Sequence, residues 1–308
     1  MKILFMGTPA FACVSLQALT NAGHEIAGVF TRADAPQGRG MKLIPPPVKT
    51  LALALGIPVH QPVKLRDGTA LSLIRGIAPD LIAVVAYGRL LPEDILISAP
   101  RGCVNVHGSL LPKYRGAAPI QWAIAHGETE TGVTTQHMAR GMDEGDMIFS
   151  DRTPILPRDT AGSLHDRLMD MGARLLVRTV EALERGHAPR VPQNENEATY
   201  APPVTREHAR IDWTRSAAAL DCHIRAFHPW PVAHTAAGGA VLRIHAAEPA
   251  DRGIADEPGS VFFSEEGGLF VSCGEGSLHI TLLQAQGGKP MRPQEFLRGH
   301  TLPPRLGT

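Results

Sequence analysis

The first thirty residues alternate two kinds of order, and that alternation restricts the fold more than any other feature of the chain. Lys2 to Met6 is an apolar run of one buried strand's length, Gly7-Thr8-Pro9 is a turn, Phe11 to Asn21 has helical character, and His24 to Phe30 is a second apolar run. Strand, helix and strand in that order make a β-α-β unit with parallel strands and a right-handed crossover. Leu81 to Ala86 and Cys103 to His107 repeat the strand signature, with helical stretches such as Val48 to Leu55 and Gly68 to Gly76 between. The expectation is an α/β domain built on an open, mainly parallel sheet of Rossmann-like type. No Gly-x-Gly-x-x-Gly follows the first strand and no phosphate-binding Gly-x-x-x-x-Gly-Lys-Ser/Thr occurs, so neither dinucleotide nor nucleoside triphosphate binding is supported.

With 308 residues, 44% of them apolar and 19% charged, the chain is long enough for two cores. Thr160 to Glu184 reads as one amphipathic helix, with Leu164, Leu168, Met171, Leu175 and Val180 near helical spacing. From about His187 the chain turns polar and proline-containing, which predicts a first domain over 1–188, a linker over 189–203 and a second domain over 204–308. In that last part Thr214 to Ala226 predicts a helix, and Val241 to Ala246, Gly259 to Phe263, Leu269 to Cys273 and Leu278 to Leu283 predict short strands of a small β-barrel.

Gly7 and Pro9 interrupt the N-terminal apolar stretch too early for a secretory leader, and no window approaches eighteen uninterrupted apolar residues. A cytoplasmic protein with no membrane partner is expected. Cys13, Cys103, Cys222 and Cys273 are far apart and the histidines lack paired ligand spacing, so no metal site is predicted. Lys plus Arg and Asp plus Glu balance at 30 each, so any polyanion must be met by a local patch. One such patch is Thr31 to Lys49, where Arg32, Arg39, Lys42 and Lys49 stand against Asp34 in a stretch interrupted by three consecutive prolines. A loop this long is either functional or a surface insertion.

Chemistry concentrates at NVHGSLLP, residues 105–112, and GMDEGD, residues 141–146. Alternation over Cys103 to His107 puts Val104 and Val106 on one strand face and Asn105 and His107 on the other. An amide and an imidazole side by side can both donate toward one developing negative charge, and Asp143, between Gly141 and Gly145, can fold over the strand to supply a carboxylate. Such a set suits acyl transfer. Taken singly, an Asn, a His or an Asp is more often a cap, a turn residue or a satisfied polar group, so spacing alone does not decide.

The string NVHGSLLPKYRGAAPIQ, with MDEGD downstream, MGTPAFA near the start and VVAYGRLLP at 84–92, resembles the folate-dependent formyltransferases over nearly the whole chain, to about Gly299. Within them, Arg115 to Gln121 is the more selective part and points to the branch acting on methionyl initiator tRNA. The resemblance implies 10-formyltetrahydrofolate as formyl donor, Asn105, His107 and Asp143 as catalytic residues, and a monomer. It implies folate contacts at Ser109, Leu110, Leu111 and Pro112 and at Tyr87, Gly88, Arg89, Leu90 and Leu91.

By the same resemblance the basic loop enters the acceptor end of the tRNA, with Arg39 in a matching Gly-Arg-Gly, Lys42 and Lys49 nearby, and Met41 where a second lysine is common. ARIDW at 209–213 and IRAFHPWP at 224–231 imply an OB-like C-terminal domain that helps hold tRNA, with Arg206 supplying a cation near Pro203, where the family often has lysine. Three other readings stay open: transfer to a small amine, hydrolysis of formylfolate, and a catalytically silent RNA-binding module. The basic loop and residues 204–308 favour tRNA over a small amine.

Overall fold

Seven strands of the N-terminal half pair into one sheet. They are β1 (Lys2–Gly7), β2 (Glu25–Phe30), β3 (Val59–His60), β4 (Leu81–Val85), β5 (Cys103–His107), β6 (Glu130–His137) and β7 (Met147–Pro154), in the spatial order β7-β6-β5-β4-β1-β2-β3. The pairs β1–β2, β1–β4, β2–β3 and β4–β5 are parallel, and β6 joins β5 antiparallel. The mainly parallel, Rossmann-like sheet is therefore present. The computed structural model describes residues 1–37, 40–250, 257–264 and 268–307.

Alternation along β1 explains why its sequence is apolar throughout. Ile3 and Phe5 enter one hydrophobic cluster while Leu4 and Met6 enter another on the opposite face, so both sides are buried, as parallel sheets require. Ala83 and Val85 join the first cluster and Ile82 and Val84 the second. On β5, Val104 and Val106 belong to the first cluster and Cys103 to the second, which leaves Asn105 and His107 on the face that Cys103 shares. Chain order reverses beside β1, with β2 and β3 on one side and β4 and β5 on the other, and a crevice opens beyond the carboxyl ends of such strands. The loops after β1 and β4 meet there, where Thr8 Oγ1 donates to the Tyr87 carbonyl at 3.2 Å.

Strands β6 and β7 carry no apolar alternation and were not foreseen. In β6, Thr131, Thr134, Thr135, Gln136 and His137 are all buried. Thr134 Oγ1 donates to the Ser109 carbonyl at 2.8 Å, and the Thr135 and Thr179 hydroxyls bond at 2.8 Å, so side-chain hydrogen bonds make burial of a polar strand tolerable. The described residues of Thr31 to Lys49 likewise include regular structure. Ala35–Gln37 and Lys42–Ile44 form a short antiparallel ladder, and Pro47 opens the helix Pro47–Ala54, where a missing N–H costs nothing.

The chain divides into two compact units. The first comprises Met1–Gly116, Thr131–Thr153 and His165–Ala201; the second comprises Ala117–Glu130, Pro154–Leu164 and Pro202–Thr308. Composition marks 189–203 as a connector, yet its stretch up to Ala201 belongs to the first unit. Tyr200–Ala201 pairs in parallel with Arg115–Gly116, and Gln193, Glu195 and Thr199 bond to Arg115 and Tyr114, although most of the stretch stays exposed.

The second unit holds an antiparallel sheet of β8 (Ala233–Ala237), β9 (Ala240–Ala250), β10 (Val261–Phe263), β11 (Leu269–Ser272) and β12 (Ser277–Ala285), in the order β8-β9-β12-β11-β10. This is the barrel-like, OB-type domain expected. The helix Ala217–Ala226, capped by the Ser216 hydroxyl accepting from Ala219 N at 3.2 Å, packs Leu220 and Ile224 into the sheet's core.

That helix also buries His223, 6% exposed, edge-on to the Phe227 ring at 4.8 Å and with Nε2 unpartnered. Burial, with the Arg215 and His234 charges adding to it and only partly offset by a hydrogen bond to the Ala209 backbone, pulls its pKa from 6.5 down to about 4. The folded state holds the neutral ring. Its contribution is therefore complete above the ordinary value and is lost as pH falls from 6.5 toward 4, by about 3 kcal/mol at most. Urea denaturation across that window should show a steeper loss of stability for the native chain than for His223→Gln.

Candidate active site

Polarity at the end of β5 is where the sheet ceases to be core. Asn105 is half-buried and His107 is 5% exposed, each one strand position from a valine that anchors the opposite face. His107 Nε2 lies 2.8 Å from the Tyr114 carbonyl oxygen. A carbonyl only accepts, so Nε2 carries a hydrogen and Nδ1 is the nitrogen left for chemistry.

Nδ1 faces Asp143, with Oδ2 at 3.5 Å. Asn105 Nδ2 donates to Asp143 Oδ1 at 3.4 Å. The three residues singled out from sequence therefore meet, although 38 residues separate Asn105 from Asp143. Two further donors reach the same carboxylate, Gln136 Nε2 to Oδ1 at 2.9 Å and the Gly116 backbone N–H to Oδ2 at 2.9 Å. Asp143 itself has φ +55°, a backbone region costly for a residue with a Cβ, and its side chain is 15% exposed. Gly145 makes the turn beneath it possible, since any side chain there would collide with the His137 carbonyl.

Gln136 and Gly116 carried no signal of their own in the sequence. Gln136 lies directly opposite Asn105 in the β5–β6 ladder, which became visible only once the polar strand β6 was placed. Arg115, quoted only as part of the selective RGAAPIQ string, is fully buried.

The residues expected near folate divide into two kinds. Ser109 is fully buried, its hydroxyl donates to the Lys113 carbonyl at 2.6 Å, and Leu111 N donates to Thr134 Oγ1 at 3.2 Å, so Ser109 to Pro112 form a hydrogen-bonded turn. Arg89 is tied to the Pro62 and Val63 carbonyls at 2.9 and 3.0 Å, while Tyr87 is 1% exposed with its hydroxyl unpartnered. Burial, only partly countered by Arg89 and Arg32, pushes that phenol's pKa up. Gly88 has φ +75°, and Leu91 is buried while Leu90 is 57% exposed. Leu90 and Leu91 line a cavity of about 230 Å³ with Pro92 and the charged Arg66, Glu93 and Arg140. Leu110 is half-buried.

Of the expected tRNA contacts, Lys42 and Arg206 are exposed and Arg39 lies outside the described residues. Lys49 is engaged, its Nζ 2.8 Å from both Asp34 carboxylate oxygens and 2.9 Å from Gln61 Oε1. These hydrogen bonds, Lys49's first, lower the Asp34 pKa.

A family model described as formyl transferase matches residues 1–180, and one described as formyl transferase, C-terminal domain, matches residues 203–301. The chain belongs to the formyl transferase family. It is similar to the methionyl-tRNA formyltransferase of Pelotomaculum thermopropionicum (strain DSM 13744 / JCM 10971 / SI), 49% identical over 304 residues, 98% of this chain and 97% of that one. It is also similar to the methionyl-tRNA formyltransferase of Trichlorobacter lovleyi (strain ATCC BAA-1151 / DSM 17278 / SZ), 47% identical over 307 residues, 100% and 96% of the two chains.

Among solved structures, HypX from Aquifex aeolicus in complex with tetrahydrofolic acid aligns with TM-score 0.66 at 20% identity, over 97% of this chain and 48% of HypX. The chain thus spans about half of HypX. WlaRD, a sugar 3N-formyl transferase, aligns with TM-score 0.65 at 20% identity, over 93% and 97%. At such identities the likeness establishes the fold of the formyl transferase family and not the acceptor.

Gly116 tests how tightly the carboxylate is held. Its φ is +117°, and an added Cβ would lie 2.7 Å from the Ala201 carbonyl oxygen. Gly116→Ala should lower stability by roughly 1–3 kcal/mol through backbone strain and displace the N–H that Asp143 accepts. Thermal melting beside a formyl-transfer assay should register both losses.

Proposed function

We propose that this chain is a cytoplasmic, monomeric enzyme that transfers formyl from 10-formyltetrahydrofolate to the free α-amino group of methionine esterified to initiator tRNA. The product is N-formylmethionyl-tRNA for translation initiation. The observation that carries this reading is the Asp143 carboxylate set against the Asn105 amide and His107 Nδ1, in a chain similar over nearly its full length to methionyl-tRNA formyltransferases. We assign residues 1–188 to catalysis and 204–308 to tRNA contact, with the stretch between them, up to Ala201, belonging to the first unit and not to a free connector.

The chemistry asks for three things, and the three side chains divide them. The amine attacks the formyl carbon, a C–N bond forms, and the carbonyl oxygen takes up negative charge. Asn105 Nδ2 donates to that oxygen, and His107 donates through Nδ1 when that nitrogen holds a proton. Asp143 Oδ2 faces the same nitrogen and offsets the imidazolium charge. Asp143 also accepts the proton shed by the attacking nitrogen. When the C–N bond to folate breaks, that proton goes to the departing folate nitrogen, so one hydrogen moves from acceptor to donor and nothing is oxidised. The folate contacts assigned are Tyr87, Gly88, Arg89, Leu90 and Leu91, of which Leu90 and Leu91 line the cavity, and the Ser109 to Pro112 turn. The tRNA contacts assigned are Arg39, Lys42, Lys49 and Arg206, with Lys49 reaching phosphate only by leaving Asp34.

Labelled formyl offered in parallel to methionyl initiator tRNA, methionyl elongator tRNA, a small amine and water should appear on the initiator tRNA. Labelling of the small amine, or formate release alone, would overturn the acceptor while keeping the site. Asn105→Ala should cost on the order of 10² to 10³ in kcat; an unchanged rate would remove Asn105 from the chemistry. Replacing Arg39 and Lys42 by alanine should raise KM for tRNA and flatten its salt dependence by about one unit of slope per lost phosphate contact. KM for formylfolate should stay level.

A further inference from the structure

The segment after the long helix Ala161–Glu184 does more than leave the first unit. Gln193 donates through Nε2 to two carbonyls of the catalytic loop, Asp143 O at 2.7 Å and Gly145 O at 2.8 Å. Its Oε1 accepts from Arg115 Nε at 3.0 Å. Carbonyls only accept and a guanidinium only donates, so this amide fits in one orientation with its two N–H groups and its oxygen all used. Asp143 has a left-handed backbone, φ +55°, that L-residues adopt sparingly, and Gln193 holds it on both sides of the bend.

Arg115 is in turn held rather than offered. It is fully buried and bonds Glu195 through both terminal nitrogens, at 2.9 and 2.7 Å. Its guanidinium donors are thus taken by Gln193 and Glu195. Its backbone N donates to the Thr199 carbonyl at 2.8 Å, and Tyr114 N donates to Thr199 Oγ1 at 2.8 Å. The next residue, Gly116, supplies the N–H that Asp143 Oδ2 accepts, while the Tyr114 carbonyl sets the His107 tautomer. One strap, 193–201, therefore touches the backbone on both sides of the site.

We propose that Gln193, oriented by the Arg115–Glu195 pair, is a positioning residue for formyl transfer, holding the Asp143 carboxylate in register with Asn105 and His107 Nδ1. The inference rests on the catalytic assignment of Asp143 made above. Gln193 touches no substrate. It acts through the Asp143 backbone, where a displacement of about 1 Å can cost a factor of 100 in rate.

A double-mutant cycle read by steady-state formylation of methionyl initiator tRNA, with thermal melting of each variant, tests this. Gln193→Ala should lower kcat by roughly 10- to 100-fold with KM for both substrates within about twofold. Placed on Asp143→Asn, the same change should cost less than about threefold, because the group it positions is already gone. Gln193→Glu keeps the volume and the Arg115 contact but lacks the two donors. It should lose at least as much rate as Gln193→Ala, since its carboxylate faces both carbonyls, and it serves as the readout if the alanine variant does not fold. Equal losses in both backgrounds, or a raised KM for tRNA at constant kcat, would overturn the proposal. An Asp143→Asn enzyme of undiminished rate would instead sink the catalytic reading beneath it.

Discussion

The carboxylate of Asp143 is the group around which the site is arranged. It sits 15% exposed on a residue of φ +55°, so both its charge and its backbone are costly to place. Two hydrogen bonds of 2.9 Å, from Gln136 Nε2 and Gly116 N, offset that cost, since bonds to a charged acceptor contribute about 1.5–3 kcal/mol each. The longer approaches, 3.4 Å to Asn105 and 3.5 Å to His107, involve the two groups proposed as donors. Short bonds hold the carboxylate, and in the mechanism proposed above the longer approaches are the ones exchanged for a substrate oxygen.

The sheet makes this arrangement possible by being buried on both faces. Val104 and Val106 lock β5 against the first hydrophobic cluster, so Asn105 and His107 must project from the other side. A slip of one residue would turn the polar pair into the first cluster and the valines toward the site. The ladder to β6 then sets Gln136 opposite Asn105, and the turn Ser109 to Pro112 is braced on Thr134. Packing on one face thus sets the geometry of chemistry on the other.

Apolar periodicity made β1, β2, β4 and β5 legible, along with the longer helices and most strands of the second unit's sheet, because their cores are made of apolar residues with strand or helix spacing; the short helices Pro119–Ala125 and Pro293–Phe296 gave no such signal. The same signal is silent for β6, whose buried face is threonine, glutamine and histidine, and for β8, Ala233–Ala237, where alanine and polar residues mix. Prolines and charge in Thr31 to Lys49 suggested a loop, yet a three-residue ladder and a helix opening at Pro47 occupy much of it. Composition could not distinguish a polar connector from a polar strap, since both are rich in Asn, Gln, Glu and Thr; partners 50 to 80 residues away decide which it is.

From sequence alone came the residue types that can do acyl transfer, their placement on one strand face, and membership of a family through NVHGSLLP, RGAAPIQ and MDEGD. These are local properties, set by i, i+2 alternation and by short strings. Only tertiary structure decided which nitrogen of His107 is available, which groups satisfy the Asp143 carboxylate, that Arg115 is enclosed by Glu195, and that Lys49 is neutralised by Asp34. Each of these depends on hydrogen bonds between segments far apart in the chain, and the free energy of such a bond is set by the partner and burial that folding supplies, not by the residue that makes it.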